Sequence, residues 1–179
     1  MQPLRPGLCH FERIGLPQRF AQAADAIDAA WRERMAAVHP DRFADAAPFE
    51  RRFAAEHAAA LNDARRVLAL PASRLGYLLA LRGVEGARTP AEQLRPDSTD
   101  LIELIELNQA LGELRGRDAT VERARLARAI QERFEGLLFE LGAVLDATPE
   151  AEIVPIPPAR LAHLSALRRL IDEAGSEAP

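Results

Sequence analysis

The chain has 179 residues, a formal net charge of −4 and 48% hydrophobic residues, enough for one ordinary domain or two small ones with a sizeable core. Aromatic residues make up only 5% and the helix formers Ala and Leu dominate, which favours an all-α protein. No run of about 18 apolar residues is available to span a membrane, no secretory leader is visible, and an acidic chain without a basic stripe is a poor binder of nucleic acid, so a cytoplasmic protein is expected.

Taken in chain order, the stretch from Cys9 to Leu16 carries Phe11, Ile14 and Leu16, enough for one short helix ended by Gly15 and Pro17. Cys9 is the single cysteine, which excludes an internal disulfide and any multi-cysteine metal site and leaves a buried or idle thiol as the expectation. Phe20 to Val38 reads as an amphipathic helix, with Ala24, Ile27, Trp31, Met35 and Val38 on one face at i+3 or i+4 spacing. Pro40 stops it, because a residue before proline is pushed out of the helical region, and 39–47 is a loop. Pro48 suits the first turn of the next helix, where its missing N–H is no loss. From there Phe49, Phe53, His57, Ala60, Leu61, Ala64 and Leu68 trace a continuous face that ends at Leu70-Pro71. A shorter helix follows, with Leu75, Leu78 and Leu79 inward and Gly83 closing it.

Residues 83–98 change character, with Gly83, Gly86, Pro90, Pro96 and several charges, and form the natural linker between a domain over 1–82 and another over 99–179. All 23 basic residues are Arg, a composition bias of the source. They are unevenly balanced: residues 1–80 hold eleven against nine acids, and residues 81–179 hold twelve against eighteen, so the halves are suited to different partners. Three helical segments are predicted in the second half, at about 99–115, 119–146 and 158–174. Their breaks are Gly116 to Asp118 and the Pro149–Pro158 stretch, where Ile153, Val154 and Ile156 sit between prolines. Ile130, Phe134, Leu137, Leu138, Leu141 and Leu145 mark the core face of the second segment, and Leu161, Leu164, Leu167 and Ile171 that of the third. Three such helices with short connections make an antiparallel bundle.

The first segment that carries more than packing information is His39-Pro40-Asp41, followed by Arg42 and Phe43. Pro40 fixes φ and stiffens the loop, so His39 and Asp41 are presented in a preset geometry, and Asp41 can accept charge-assisted hydrogen bonds from an arginine of a partner. A plain turn with Asp41 as a cap, or a His–Asp general-base pair, are the competing readings. The catalytic one lacks a nucleophile nearby and a Gly-rich phosphate cradle. His10, His57 and His163 are scattered, no His/Cys/Asp/Glu cluster stands at metal spacing, and no metal or other cofactor is expected. An amphipathic helix, this tripeptide, a basic residue with an aromatic, and a second long helix with Leu61-Asn62 and Leu68 resemble the J-domain pattern. The resemblance implies an adaptor, not an enzyme, that biases a DnaK/HscA-type chaperone towards ATP hydrolysis. Its chaperone-binding residues are then His39, Pro40, Asp41, Arg32 and Arg42. The last turn before the tripeptide, Met35-Ala36-Ala37-Val38, lacks the basic patch usual there, and Arg34 stands where many J-domains carry a core leucine.

Beyond that loop, Pro71-x-x-Arg74-x-x-Tyr77-Leu78-Leu79-x-Leu81-x-Gly83 resembles the junction of the HscB family, the J-proteins of iron–sulfur cluster assembly. The resemblance covers nearly the whole chain, with a J-domain first and an acidic three-helix bundle second. It implies an HscA-type chaperone ATPase and an IscU-type scaffold protein as partners, and a bacterial type without the zinc-binding cysteines of some eukaryotic relatives. The residues of the first bundle helix carry the client site independently. Leu104, Leu107, Leu111 and Leu114 cluster on one face, while Leu101, Ile102 and Ile105 point nearly opposite with Glu106, Gln109 and Glu113 beside them. A helix apolar on two faces must bury both, so the second meets either the other domain or a partner. The family grips its scaffold with a Leu-Met/Ile-x-x-Leu/Met-Glu-x-x-Glu run, matched here by Leu101, Ile102, Ile105, Glu106, Gln109 and Glu113, with Gln109 in place of an acid. His163 stands near the position of an outward aromatic in relatives and is grouped with the same set. A J-protein with a different client is the alternative.

Overall fold

A computed structural model of the chain describes residues 7–115 and 119–176. Among the described residues there are seven α-helices and no strand. None of these helices is long and apolar enough to cross a membrane. The chain divides into two compact units, one ending at Leu78 and one beginning at Leu79.

In the first unit, α1 (His10–Ile14), α2 (Ala24–Val38) and α3 (Pro48–Ala69) pack pairwise, and α4 (Pro71–Leu81) starts immediately after α3. Helix α1 buries Phe11 and Ile14 and ends on Gly15, whose φ of 80° places it in the left-handed region that favours glycine. Its start is tied down by the Cys9 N–H, which donates to the Glu12 carboxylate at 2.7 Å. That bond holds the Glu12 carboxyl below its ordinary range, whereas partial burial pushes the Cys9 thiol up.

Helix α2 is shorter than its periodicity predicts. Phe20 is buried ahead of the helix, and Gln22 closes a turn there by donating from its backbone to the Phe20 carbonyl (2.8 Å) and from its side chain to the Pro17 carbonyl (2.9 Å). Those turn bonds replace helical ones, and the helix begins at Ala24. Ile27 and Met35 are buried as expected. The early face of α3 is also rotated by one position: Ala54 and Ala58 are buried instead of Phe53 and His57, and Phe49 is more than half exposed. Small side chains there let α3 approach α1 and α2 closely, and the bulky ring of Phe49 stays in solvent, edge-on to Phe53. Two groups clasp α2 to α3. The Trp31 indole N–H donates to Asn62 Oδ1 (3.1 Å), and the Arg65 guanidinium lies over the Trp31 ring while pairing with Asp28 at 2.7 Å.

The start of α4 explains two residues of the junction motif. Arg74 is buried and donates to the Leu68 carbonyl (2.5 Å), satisfying the end of α3, while its guanidinium lies over Phe20. Tyr77 accepts the His10 N–H at 2.9 Å and stacks on that imidazole.

The second unit is a bundle of α5 (Ser98–Glu113), α6 (Thr120–Ala147) and α7 (Pro158–Ser176), in which each helix packs against the other two. Asp97 caps α5 by accepting the Asp100 N–H at 2.8 Å. The predicted core face of α6 is buried from Ile130 to Leu145, and Val154 and Ile156 turn inward from the α6–α7 connection while Ile153 points out. Arg82 holds that connection by donating to the Thr148 and Pro149 carbonyls (3.1 and 2.6 Å). The expected break at Gly116–Asp118 lies outside the described residues. Residues 83–98 are not a free tether. Val84 is buried, a single 3₁₀ turn at Ala91–Gln93 packs on α7, and Gly86, at φ 84°, sits so close to Pro158 and Leu94 that a Cβ would meet their side chains at 3.2 and 3.3 Å. Gly and Pro mark this segment as irregular in backbone, but its few apolar side chains still have a core to join.

Candidate functional site

Two surfaces stand out, one on each unit. At the far end of the α2–α3 hairpin, His39 terminates α2 in an extended conformation (φ −56°, ψ 129°) and Pro40–Phe43 forms a 3₁₀ turn. The His39 imidazole faces Asp41, with Nδ1 3.4 Å from the Asp41 backbone N and 3.5 Å from Oδ2. Arg42 reaches back to donate to the Ala36 carbonyl at 2.7 Å, capping the end of α2. The turn is thereby held by its own groups, while the Asp41 side chain remains 89% exposed. Nothing in it resembles a nucleophile–base pair; it is a stiff polar tip whose carboxylate faces solvent.

On α5 the two-faced pattern is realised. Leu104 and Leu111 are buried, with Leu107 and Leu114 partly so, whereas Leu101, Ile102 and Ile105 are 46, 58 and 48% exposed. Glu106, Gln109 and Glu113 are exposed on the same helix. Adjacent apolar side chains rimmed by polar ones are the usual mark of a protein-binding surface.

Known proteins resemble the chain in sequence and fold. A co-chaperone HscB homolog from Azoarcus sp. is 31% identical over 92% of both chains, and one from Cupriavidus taiwanensis is 36% identical over 76% of this chain and 77% of its own. The chain belongs to the HscB family. The chaperone HscB from Vibrio cholerae superposes with a TM-score of 0.71 at 25% identity over 94% of this chain and 96% of its own. The human co-chaperone HscB shares the fold, with a TM-score of 0.81 at 19% identity over 99% of this chain and 85% of its own. No protein-family model matches the chain. Membership makes it a J-domain co-chaperone, all-helical, with the J-domain in the hairpin unit and a helical bundle after it.

Within this HscB relative, the remaining site residues separate clearly. Arg32 is exposed on α2, and no basic residue of the helix itself occupies its last turn, where the Arg42 guanidinium folds back onto the Ala36 carbonyl. Arg34 is exposed, with its guanidinium laid over Gly15.

His163 departs from its expected place. It is 0% exposed, turned into the bundle and not outward with the apolar patch, and a buried ring cannot touch a partner. Its Nδ1 lies 2.8 Å from Asp100 Oδ1 and its Nε2 lies 3.2 Å from Glu103 Oε2, both carboxylates coming from α5. Arg160 stands 3.4 Å from the same Asp100 and pairs with Glu140 at 2.9 Å, and Arg133 pairs with Glu103 at 2.7 Å. The Glu103 contact raises the pKa of Arg133 further.

Asp100, Glu103 and His163 therefore converge although the histidines looked scattered in the sequence. Among the described residues they are the one group whose donor atoms come near enough to hold a metal ion, all within 4.8 Å. The geometry favours an ion network instead. Each carboxylate already has an arginine beside it, whose charge opposes a bound cation. What the network does is tie α5 to α7 directly beneath the exposed patch. A local signal existed: Asp100 and Glu103 stand three apart on α5, and His163 falls on the apolar face of α7 with Leu167 four residues on.

Proposed function

We propose that this co-chaperone stimulates the ATPase of an HscA-type chaperone through His39, Pro40 and Asp41, with Arg32 and Arg42 beside them, and delivers an IscU-type iron–sulfur scaffold protein held on Leu101, Ile102, Ile105, Glu106, Gln109 and Glu113. The observation that carries the reading is the self-braced His39–Asp41 tip with its exposed carboxylate, in a chain of the HscB family. Pre-ordering the turn removes an entropic cost of binding, and Asp41 can accept hydrogen bonds from an arginine on the ATPase. The action is allosteric: the tip binds the hydrolysis-competent state of the chaperone better than its alternative, and no proton needs to move to or from His39. The bundle supplies the second partner through its exposed apolar side chains, which become the buried anchors of the complex.

In this reading the J-domain is the functional unit of residues 1–82, the bundle that of 99–179, and the protein works in the cytoplasm without cofactor or chemistry of its own. The test is single-turnover ATP hydrolysis by the chaperone, with scaffold and co-chaperone added separately and together. Synergy is the expected result. Stimulation indifferent to the scaffold would retain a J-protein with another client, and no stimulation of HscA-type or DnaK-type chaperones would remove the role of the tip.

A further inference from the structure

The exposed side of α5 is one wall of a groove of about 450 Å³ within the second unit, not a flat patch. Its apolar lining comes from three places: Leu101, Leu104 and Ile105 on α5, Leu94 on the preceding segment, and Ala166 on α7. The packing of residues 83–98 against α7 is what builds the outer wall, so the irregular segment shapes a binding surface as well as joining the units.

The charges lining this groove are distinctive. Several arginines of the bundle are matched: Arg115 to Glu173, Arg128 to Glu132, Arg133 to Glu103, Arg160 to Glu140 and Arg168 to Asp172. Arg95 and Arg169 also line the groove, are exposed, and meet no carboxylate among the described residues. Arg95 donates instead to the Glu92 and Leu94 carbonyls of its own segment (2.8 and 3.3 Å), which fixes where its charge sits. Glu92 lines the same groove, so the rim carries a net positive charge although the unit as a whole is acidic.

We infer that the groove recognises an apolar–acidic pair on the scaffold protein: a large apolar side chain seated over Leu94, Leu101 and Ile105, and a neighbouring carboxylate at the Arg95 and Arg169 rim. The inference rests on the scaffold-docking reading proposed above and adds the chemistry of its occupant. Two unmatched guanidinium groups beside an apolar floor give an acid a charge-assisted partner where solvent is excluded on docking. A basic residue placed there would meet like charge.

The test measures the affinity of the purified IscU-type scaffold protein for the full chain and two variants. Both arginines are exposed and bond to no other side chain among the described residues, so Arg95→Glu with Arg169→Glu leaves the bundle folded, which circular dichroism checks. At low salt this double reversal is expected to weaken binding tenfold or more, chiefly by slowing association, and 0.5 M salt is expected to erase most of the difference. Leu101→Ala with Ile105→Ala is expected to weaken binding at either salt concentration. If the arginine reversals leave affinity unchanged or raise it while the alanines weaken binding, the charge recognition is overturned and scaffold docking survives. If the alanines leave affinity unchanged, docking on this face falls, and the groove inference with it.

Discussion

The two surfaces solve the problem of presenting a binding site in opposite ways. The His39–Asp41 tip is polar, small and braced by its own turn: one proline, a histidine facing the next aspartate, and an arginine folded back on the helix end. The α5 surface is apolar and broad, and its bracing lies beneath it, in the buried contacts of His163, Asp100 and Glu103. A polar tip can face water at no cost while it waits for its partner. An apolar face cannot be stiffened by surface hydrogen bonds, so its helix must be held from behind.

The sharpest way to break this division is at the tip. His39→Gln is expected to abolish ATPase stimulation, returning the chaperone to its basal rate, with scaffold affinity and melting temperature unchanged. His39 is half exposed and bonds only within its own turn, so nothing else depends on it. Equal loss of both activities would show that the two surfaces are not independent.

The buried network comes next. Asp100→Ala leaves His163 with one carboxylate and Arg160 without one of its two, and leaving a buried polar group without its partner costs about 1–3 kcal/mol. The double replacement Asp100→Leu with His163→Leu removes both groups and is expected to recover much of that loss, since replacing both partners of a buried polar contact by apolar groups of similar shape can be nearly neutral. Thermal or urea unfolding decides it. Additive losses in the double variant would mean that the two residues do not act as a pair.

At the α5 surface itself, Leu101→Ala with Ile105→Ala is expected to weaken scaffold binding by about 2–4 kcal/mol, the range of central apolar anchors. Stability should hold, because both side chains are about half exposed. A loss of stability with unchanged affinity would make this face part of the fold.

How much of this could be read from sequence depended on whether the signal was local. The tripeptide, the α5 run and the helix periodicities are short-range patterns, and the fold class, the helix order and the exposed positions on α5 follow from them. What escaped depends on long-range placement. His163 looked like a surface residue although it lies on the apolar face of α7, because its carboxylate partners stand about sixty positions earlier and only the fold brings them to it. Phe49 looked like core because it continues the apolar spacing of Phe53 and His57, yet Ala54 and Ala58, one position after those two, are the buried residues and let α3 pack more closely than a ring would. Residues 83–98 looked like a linker because Gly and Pro report on backbone irregularity and are silent about whether Val84 or Leu94 finds a core.

The smallest expected effect is one of pH, and it lies in the first unit. Burial of the His10 imidazole, which lies against Tyr77, lowers its pKa from the ordinary 6.5; Asp63 opposes the shift, while Arg13 and Arg66 assist it. The folded state therefore binds fewer protons than the unfolded chain between the depressed value and 6.5. Stability rises with pH in that window: the contribution is complete above about 6.5 and is lost as pH falls through the folded value. A His10→Gln variant keeps the backbone N–H that donates to Tyr77 and removes the titration. Melting curves of parent and variant are expected to diverge, with the parent falling faster below pH 6.5. Parallel curves from pH 7.5 to 5 would mean that the imidazole keeps enough solvent in the fold to charge freely.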